Sequence, residues 1–240
     1  MEQTYHMSYD SKLDLFVGNN NIWSQIFMKS QKSTGNGALF LDRDGVIVEE
    51  VEYLHEVNKI SLIPEINPLI KFANLLSIPV IIITNQSGIG RGYYSWDDFY
   101  KVQNTILKIL ENAGVTIDAV FACPHHKEAI ARFRHADHPC RKPNPGMLKM
   151  AAELMKIDLS KSWVIGDRST DILAGLNANC KGGVHVQTGH GGNNDEIQAS
   201  LQIRKPNYYV TSVTSLNEIT GDQLFGKKHM GTIHHRIHTH

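Results

Sequence analysis

The chain has 240 residues, enough for one sizeable α/β domain with decorations or for two small ones. Lys plus Arg and Asp plus Glu balance at 24 each, so no global field draws in nucleic acid or an anionic membrane, and any bound anion must be held by a local pocket. Three cysteines are too few for a disulfide framework and no apolar stretch reaches membrane-spanning length, which leads us to expect a globular cytoplasmic protein.

Residues 1–36 read as an N-terminal extension, partly flexible. GNNNIWSQIFMKSQKSTGNG is rich in Asn, Gly and Ser and fits at most one short helix. No basic segment followed by an apolar run opens the chain, so no secretory signal is expected. The runs ALFLD (38–42), PVIIIT (79–84), DAVFAC (118–123), SWVIGD (162–167) and GVHVQTG (183–189) follow. Their apolar residues are continuous rather than alternating, which suits strands of a parallel sheet covered on both faces. Between them, 64–77, 95–114 and 145–156 carry apolar residues at helical spacing; Ser95 is the expected cap of the middle helix, with Asp97 and Asp98 in its first turn. The alternation predicts a doubly wound, Rossmann-like α/β domain over 37–222 with helices on both faces of the sheet. From residue 223 onward the His-rich end reads as a disordered tail.

Ligands of such folds bind beyond the carboxyl ends of the strands. After the first run, Asp42 and Asp44 stand two apart and point to the same side of an extended chain. Two carboxylates so placed repel unless a cation sits between them. After the second run comes TNQSGIGRG, a Thr followed by glycines that leave backbone N–H groups free for an anion. The fourth run ends in GDRSTD, with Asp167 at the strand end and Asp171 one helical turn later. Acidic strand ends facing one pocket suit Mg²⁺, and Lys142 adds a positive charge to the same pocket.

The ordered set DRDGV, ITNQ, RKP and GDRSTD resembles the haloacid dehalogenase superfamily of aspartyl-phosphate phosphohydrolases over residues 38 to about 190. That resemblance implies that Asp42 attacks phosphorus and that Asp44 protonates the leaving oxygen and later activates water. It makes Thr84 and Lys142 the holders of the phosphoryl oxygens. Mg²⁺ would be bound by Asp42, the Asp44 backbone carbonyl and Asp167, while Asp171 would orient Lys142 or a metal-bound water. The segment between Gly45 and the second run has no room for a large cap domain, which leaves the stretch CPHHKEAIARFRHADHPCRKPNPG (123–146) to shape the site.

That stretch is similar to the loop of the D-glycero-D-manno-heptose 1,7-bisphosphate 7-phosphatase family and, less closely, to the phosphatase half of the histidinol-phosphate enzymes. The family's loop binds zinc through Cys-x-His and Cys-x-Cys, which implies a structural Zn²⁺ on Cys123, His125, His138 and Cys140 across 123–140. His138 stands where the family has a cysteine; His126, His135 and Asp137 are reserve ligands, and Cys180 reads as buried filler in a helix. Substrate contacts are implied for Glu50, Val51, Glu52, Tyr53, Asn85, Gln86, Ser87, Arg141 and Arg168, with Arg91 a weaker candidate. The expected activity is Mg²⁺-dependent removal of the 7-phosphate in the biosynthesis of nucleotide-activated heptose for lipopolysaccharide core or capsule. The expected partner is a small sugar phosphate, with neither nucleic acid nor membrane, and the expected state is a monomer. The rivals are a phosphatase of histidinol phosphate or a similar small ester, a polynucleotide 3′-phosphatase, and a zinc-stabilised binding module without catalysis.

Overall fold

The computed structural model describes residues 16–18, 21–27 and 35–226. Its centre is a seven-stranded sheet of β1 (Trp23–Ile26), β2 (Leu39–Leu41), β3 (Val80–Asn85), β4 (Ala119–Cys123), β5 (Trp163–Gly166), β6 (Gly182–Val186) and β7 (Tyr209–Val213). The order across the sheet is β1-β4-β3-β2-β5-β6-β7. All neighbours are parallel except the edge pair β1–β4.

Successive residues of each strand feed opposite faces. Leu39, Leu41, Ile82, Val120 and Ile165 point into one core, with α1 (Asn67–Leu75) and α3 (Trp96–Asn112) packed over it. Phe40, Ile81, Ile83, Phe121 and Val164 point into the other, beneath α4 (Gly146–Met155) and α5 (Ser169–Asn177). Burial on both faces is why these strands lack polar alternation. Three further helices complete the fold: α2 (Ser87–Arg91), α6 (Asn194–Gln202) and α7 (Gly221–Phe225).

Helix α3 begins where its sequence says it should. The Ser95 hydroxyl accepts the Asp98 N–H while the Asp98 carboxylate accepts the Ser95 N–H, a capping box worth about 1 kcal/mol. Phe99, Val102, Ile106 and Leu110 then lie on its buried face. The expected helix over 64–77 is split, with a 3₁₀ turn at Pro64–Ile66 ahead of α1.

Two expectations at the ends of the chain are corrected. The extension contributes not a helix but β1, where Trp23 is wholly buried against Phe16, Trp96 and Phe99. Truncating a residue so placed costs roughly 3–5 kcal/mol, so 21–27 belongs to the domain. At the other end the domain continues past 222: Leu224 is buried and its carbonyl accepts the Trp163 Nε1–H at 2.7 Å. The remainder of the expected extension and tail lies outside the described residues. Cys180 is buried as expected, but in the turn after α5 rather than in a helix. No helix among the described residues is long and apolar enough to cross a membrane.

Candidate active site

The parallel register puts Leu41 beside Ile82 on one side and Ile165 on the other. The chain positions just beyond, Asp42 from β2, Thr84 from β3 and Asp167 from β5, therefore gather at one edge of the sheet. They line a cavity of about 620 Å³ together with Asp44, Lys142 and Asp171. The same cavity is lined by Glu50, Val51, Glu52, Tyr53, Asn85, Gln86, Ser87, Arg141 and Arg168, so every expected catalytic and substrate-contacting residue borders one space.

At the floor, Lys142 Nζ lies 2.8 Å from Asp42 Oδ1 and 2.6 Å from Asp171 Oδ1, and donates to the Ile83 carbonyl at 2.9 Å. Burial lowers the ammonium's pKa, but Asp171 and Asp42 outweigh burial and raise it. Asp42, Asp167 and Asp171 bring carboxylate oxygens within 4.8 Å of one another. Burial, together with Asp171 and Asp44, pushes Asp42 up to about 7 against the lowering by Lys142; burial, then Asp42 and Asp171, pushes Asp167 up to about 8. One lysine does not neutralise three buried carboxylates. A hard divalent cation fits this set of oxygen donors; Asp42 and Asp167, with the Asp44 backbone carbonyl, are the residues that would hold it, while Asp171 is engaged by Lys142. Asp167 is further fixed by the His190 N–H, which donates to its Oδ2 at 2.8 Å.

Asp44 is held differently from Asp42. Its carboxylate accepts from Arg43 Nε at 3.1 Å and Nη2 at 2.9 Å, and from Gln86 Nε2 at 3.0 Å. Gln86 faces inward and is nearly buried. Its carbonyl accepts from Arg43 and from the Tyr94 hydroxyl, and its amide donates to Asp44 and Thr84. Asn85 gives both polar atoms to the Lys142 backbone, each at 3.1 Å, and so fixes Lys142 at the cavity floor. Both were expected to touch substrate; the Gln86 amide makes four hydrogen bonds within the protein, whereas the Asn85 amide makes two and keeps one N–H and one lone pair.

The cavity's other wall is basic. Arg141, Arg168 and Arg91 face it with His126; burial first, then the charges of Arg91 and Arg168, lowers the Arg141 pKa. Arg141 donates to the His125 carbonyl at 3.0 Å, which ties this wall to the histidine loop. His190 closes part of the rim, with Nε2 3.5 Å from Glu50 Oε1.

The expected zinc donors share one loop but do not converge. Among the described residues, only the carboxylate trio brings three candidate donor atoms together. His125 and His138 stack face to face, with centroids 3.7 Å apart and planes 4° from parallel. Ring lone pairs lie in the ring plane, so a metal in line with one ring lies well outside the plane of the other. Burial, with His125 and His135, lowers His138 to about 4. Burial pushes the Cys123 thiol up to about 12 and raises Cys140 as well. The donor chemistry suits zinc; this geometry does not yet form the site.

Arg43, Tyr94, Thr170 and His190 also line the cavity and were not singled out from the sequence, and His126, expected only as a reserve zinc ligand, lines it too. The position of Arg43 between Asp42 and Asp44 was the one available signal.

A HAD-hydrolase-like family model matches residues 139–216. D-glycero-beta-D-manno-heptose-1,7-bisphosphate 7-phosphatase of Mesorhizobium japonicum is 44% identical over 59% of this chain and 65% of its own length. The alpha-specific counterpart of Burkholderia mallei is 42% identical over 60% of this chain and 76% of its own, and the beta-specific one of Haemophilus influenzae is 36% identical over 64% and 83%. Among solved structures, a protein of Mesorhizobium loti described as a HAD-like phosphatase superposes with a TM-score of 0.68 at 34% identity, over 78% of this chain and 96% of that one. D,D-heptose 1.7-bisphosphate phosphatase of B. bronchiseptica, complexed with magnesium and phosphate, does so with a TM-score of 0.62 at 26% identity, over 75% and 94%. The chain belongs to the haloacid dehalogenase-like hydrolases, in the family of the heptose-1,7-bisphosphate 7-phosphatases.

Proposed function

We propose that this protein is a Mg²⁺-dependent phosphatase that removes the 7-phosphate of D-glycero-D-manno-heptose 1,7-bisphosphate through an aspartyl-phosphate. The observation that carries this reading is the polarity of the cavity: a trio of buried carboxylates with Lys142 at the floor, and Arg141, Arg168 and Arg91 on the wall. A substrate with two phosphates matches both halves, one phosphate reacting at Asp42 while the other is held by guanidinium groups.

In this reading an Asp42 oxygen bonds to phosphorus as the ester P–O bond breaks, and the leaving oxygen takes a proton from Asp44. Water then attacks phosphorus and gives a proton to Asp44, releasing phosphate from Asp42. Thr84 and Lys142 hold the phosphoryl oxygens. Mg²⁺ offsets the repulsion between an anionic nucleophile and an anionic ester. Between β2 and β3 the described residues form only 3₁₀ turns, isolated bridges and α1, which supports an open site without a large cap. The reading extends to a cytoplasmic monomer making nucleotide-activated heptose for lipopolysaccharide core or capsule. It also includes a structural Zn²⁺ on Cys123, His125, His138 and Cys140, supported by their donor chemistry.

A phosphate-release screen with Mg²⁺ over sugar mono- and bisphosphates, histidinol phosphate and a 3′-phosphorylated oligonucleotide tests this. The heptose bisphosphate should be turned over fastest, to the 1-phosphate. Equal turnover of histidinol phosphate would sink the substrate assignment, and Asp42→Asn retaining full activity would sink the mechanism.

A further inference from the structure

We propose that Arg43 is a positioning residue that sets the carboxylate of Asp44 for proton transfer to the leaving oxygen, an assignment that rests on the aspartyl-phosphate reading above. Arg43 is only 1% exposed, although an arginine between two strand-end aspartates would be expected to reach solvent. Its guanidinium instead folds back onto its neighbour. Nε lies 3.1 and 3.2 Å from the two Asp44 oxygens, and Nη2 lies 2.9 Å from Oδ1. Two nitrogens of one planar group against one carboxylate fix that carboxylate's plane as well as its place, which a lysine's single ammonium does not do.

The guanidinium is itself held. It lies over the Phe99 ring, 5.5 Å from the centroid, and Nη2 donates to Gln86 Oε1 at 3.2 Å. That oxygen also accepts the Tyr94 hydroxyl at 2.5 Å, while Gln86 Nε2 donates to Asp44 and to Thr84. Only one orientation of the Gln86 amide satisfies these partners: reversed, it would set a donor against Arg43 and an acceptor against the Asp44 carboxylate. Arg43, Asp44 and Gln86 therefore form a closed ring of hydrogen bonds braced by Tyr94. Arg43 Nη1 is buried without a hydrogen-bond partner. An orphaned donor of this kind is unfavourable, and is consistent with the group being kept for its grip on Asp44 rather than for packing.

Chemistry supplies the test. An alkoxide leaving from a sugar phosphate needs the Asp44 proton as its P–O bond breaks, whereas p-nitrophenolate leaves without one. Misplacing Asp44 therefore harms the alkyl ester selectively, while general loosening of the fold harms both esters alike. The experiment compares kcat/KM for an alkyl phosphomonoester and for p-nitrophenyl phosphate, with Mg²⁺, in wild type, Arg43→Lys and Tyr94→Phe. We expect Arg43→Lys to lose roughly tenfold to hundredfold more on the alkyl ester than on the aryl ester. Tyr94→Phe should shift the ratio the same way by less, and it decides the matter if Arg43→Lys fails to fold. Equal losses on both esters overturn the assignment. Wild-type protein that releases phosphate from neither ester overturns the phosphatase reading itself, and this assignment with it.

Discussion

Lys142 joins Asp42 to Asp171: one ammonium, 3% exposed, sits 2.8 Å from the first carboxylate and 2.6 Å from the second. The contact links β2 to the start of α5, elements far apart in sequence. It also fixes the orientation of the Asp42 carboxylate. Lys142 thus has a structural duty, which separates its effect on stability from its effect on catalysis.

Replacing Lys142 by Met leaves Asp42, Asp167 and Asp171 buried without their counter-charge. The expected cost for metal-free protein at pH 8 is roughly 3–5 kcal/mol, since breaking a buried pair strands the remaining charge. Mg²⁺ should return part of that loss, because it supplies positive charge at the same oxygens. Denaturant melts with and without Mg²⁺ measure both effects; an unchanged midpoint would refute the electrostatic account of the floor.

The carboxylates also give metal-free stability a definite pH dependence. Asp42 and Asp167 rise from the ordinary 3.8 to about 7 and about 8, each chiefly through burial. The folded state therefore holds their protons more tightly than the unfolded state. This contribution is complete below about pH 4 and is lost as pH rises through 7 and 8. Mg²⁺ binds the ionised carboxylates, so its stabilising effect should grow over the same interval. Thermal melts at pH 5 and pH 8 should show Mg²⁺ protection chiefly at the higher value. Equal protection at both would show that the metal binds elsewhere.

Much of this site could be read without coordinates, for one reason. Asp42, Thr84 and Asp167 end continuous apolar runs, and in a parallel sheet such ends converge on one edge whatever the loops do. Residues that act through side-chain geometry left no such mark. Gln86 and Asn85 stand beside Thr84 and read as substrate contacts, yet their bonds turn inward to Asp44, Arg43 and the Lys142 backbone. His190 and Tyr94 come from separate loops, and nothing in their spacing announces them. The edge strand β1 was missed because Trp23–Ile26 lies in Asn- and Ser-rich surroundings, and its burial depends on pairing with β4.

The histidine loop makes a sharper prediction. Because His125 and His138 stack in near-parallel planes, zinc binding must break their stack and draw protons from two buried thiols. Metal analysis should find one zinc per chain in wild type and its loss in His138→Ala. Ultraviolet absorption of a cobalt-substituted loop should report two thiolate ligands rather than three. Zinc retained in His138→Ala but lost in His135→Ala would transfer the fourth position to His135, whose ring lies edge-on to His138 at 5.1 Å.

Gly45 offers a test of how tightly the fold grips the metal-binding edge. Its φ of +81° is left-handed, and an added Cβ would lie 2.4 Å from Asp167 Oδ2. Gly45→Ala therefore combines a backbone penalty of about 1 kcal/mol with a direct push on the Asp167 carboxylate. Gly114 separates the two effects: its φ is +78°, but nothing lies within 4 Å of its added Cβ. Gly114→Ala should lower stability by about 1 kcal/mol and leave the Mg²⁺ requirement unchanged. Gly45→Ala should raise the half-saturating Mg²⁺ concentration by about tenfold or more, since second-layer displacement of a ligand commonly costs that much. The measurement is phosphate release against Mg²⁺ concentration for the two variants, with melting midpoints in parallel. Identical Mg²⁺ curves for both would mean that Asp167 moves aside without loss, and would remove it from the set of residues that hold the metal.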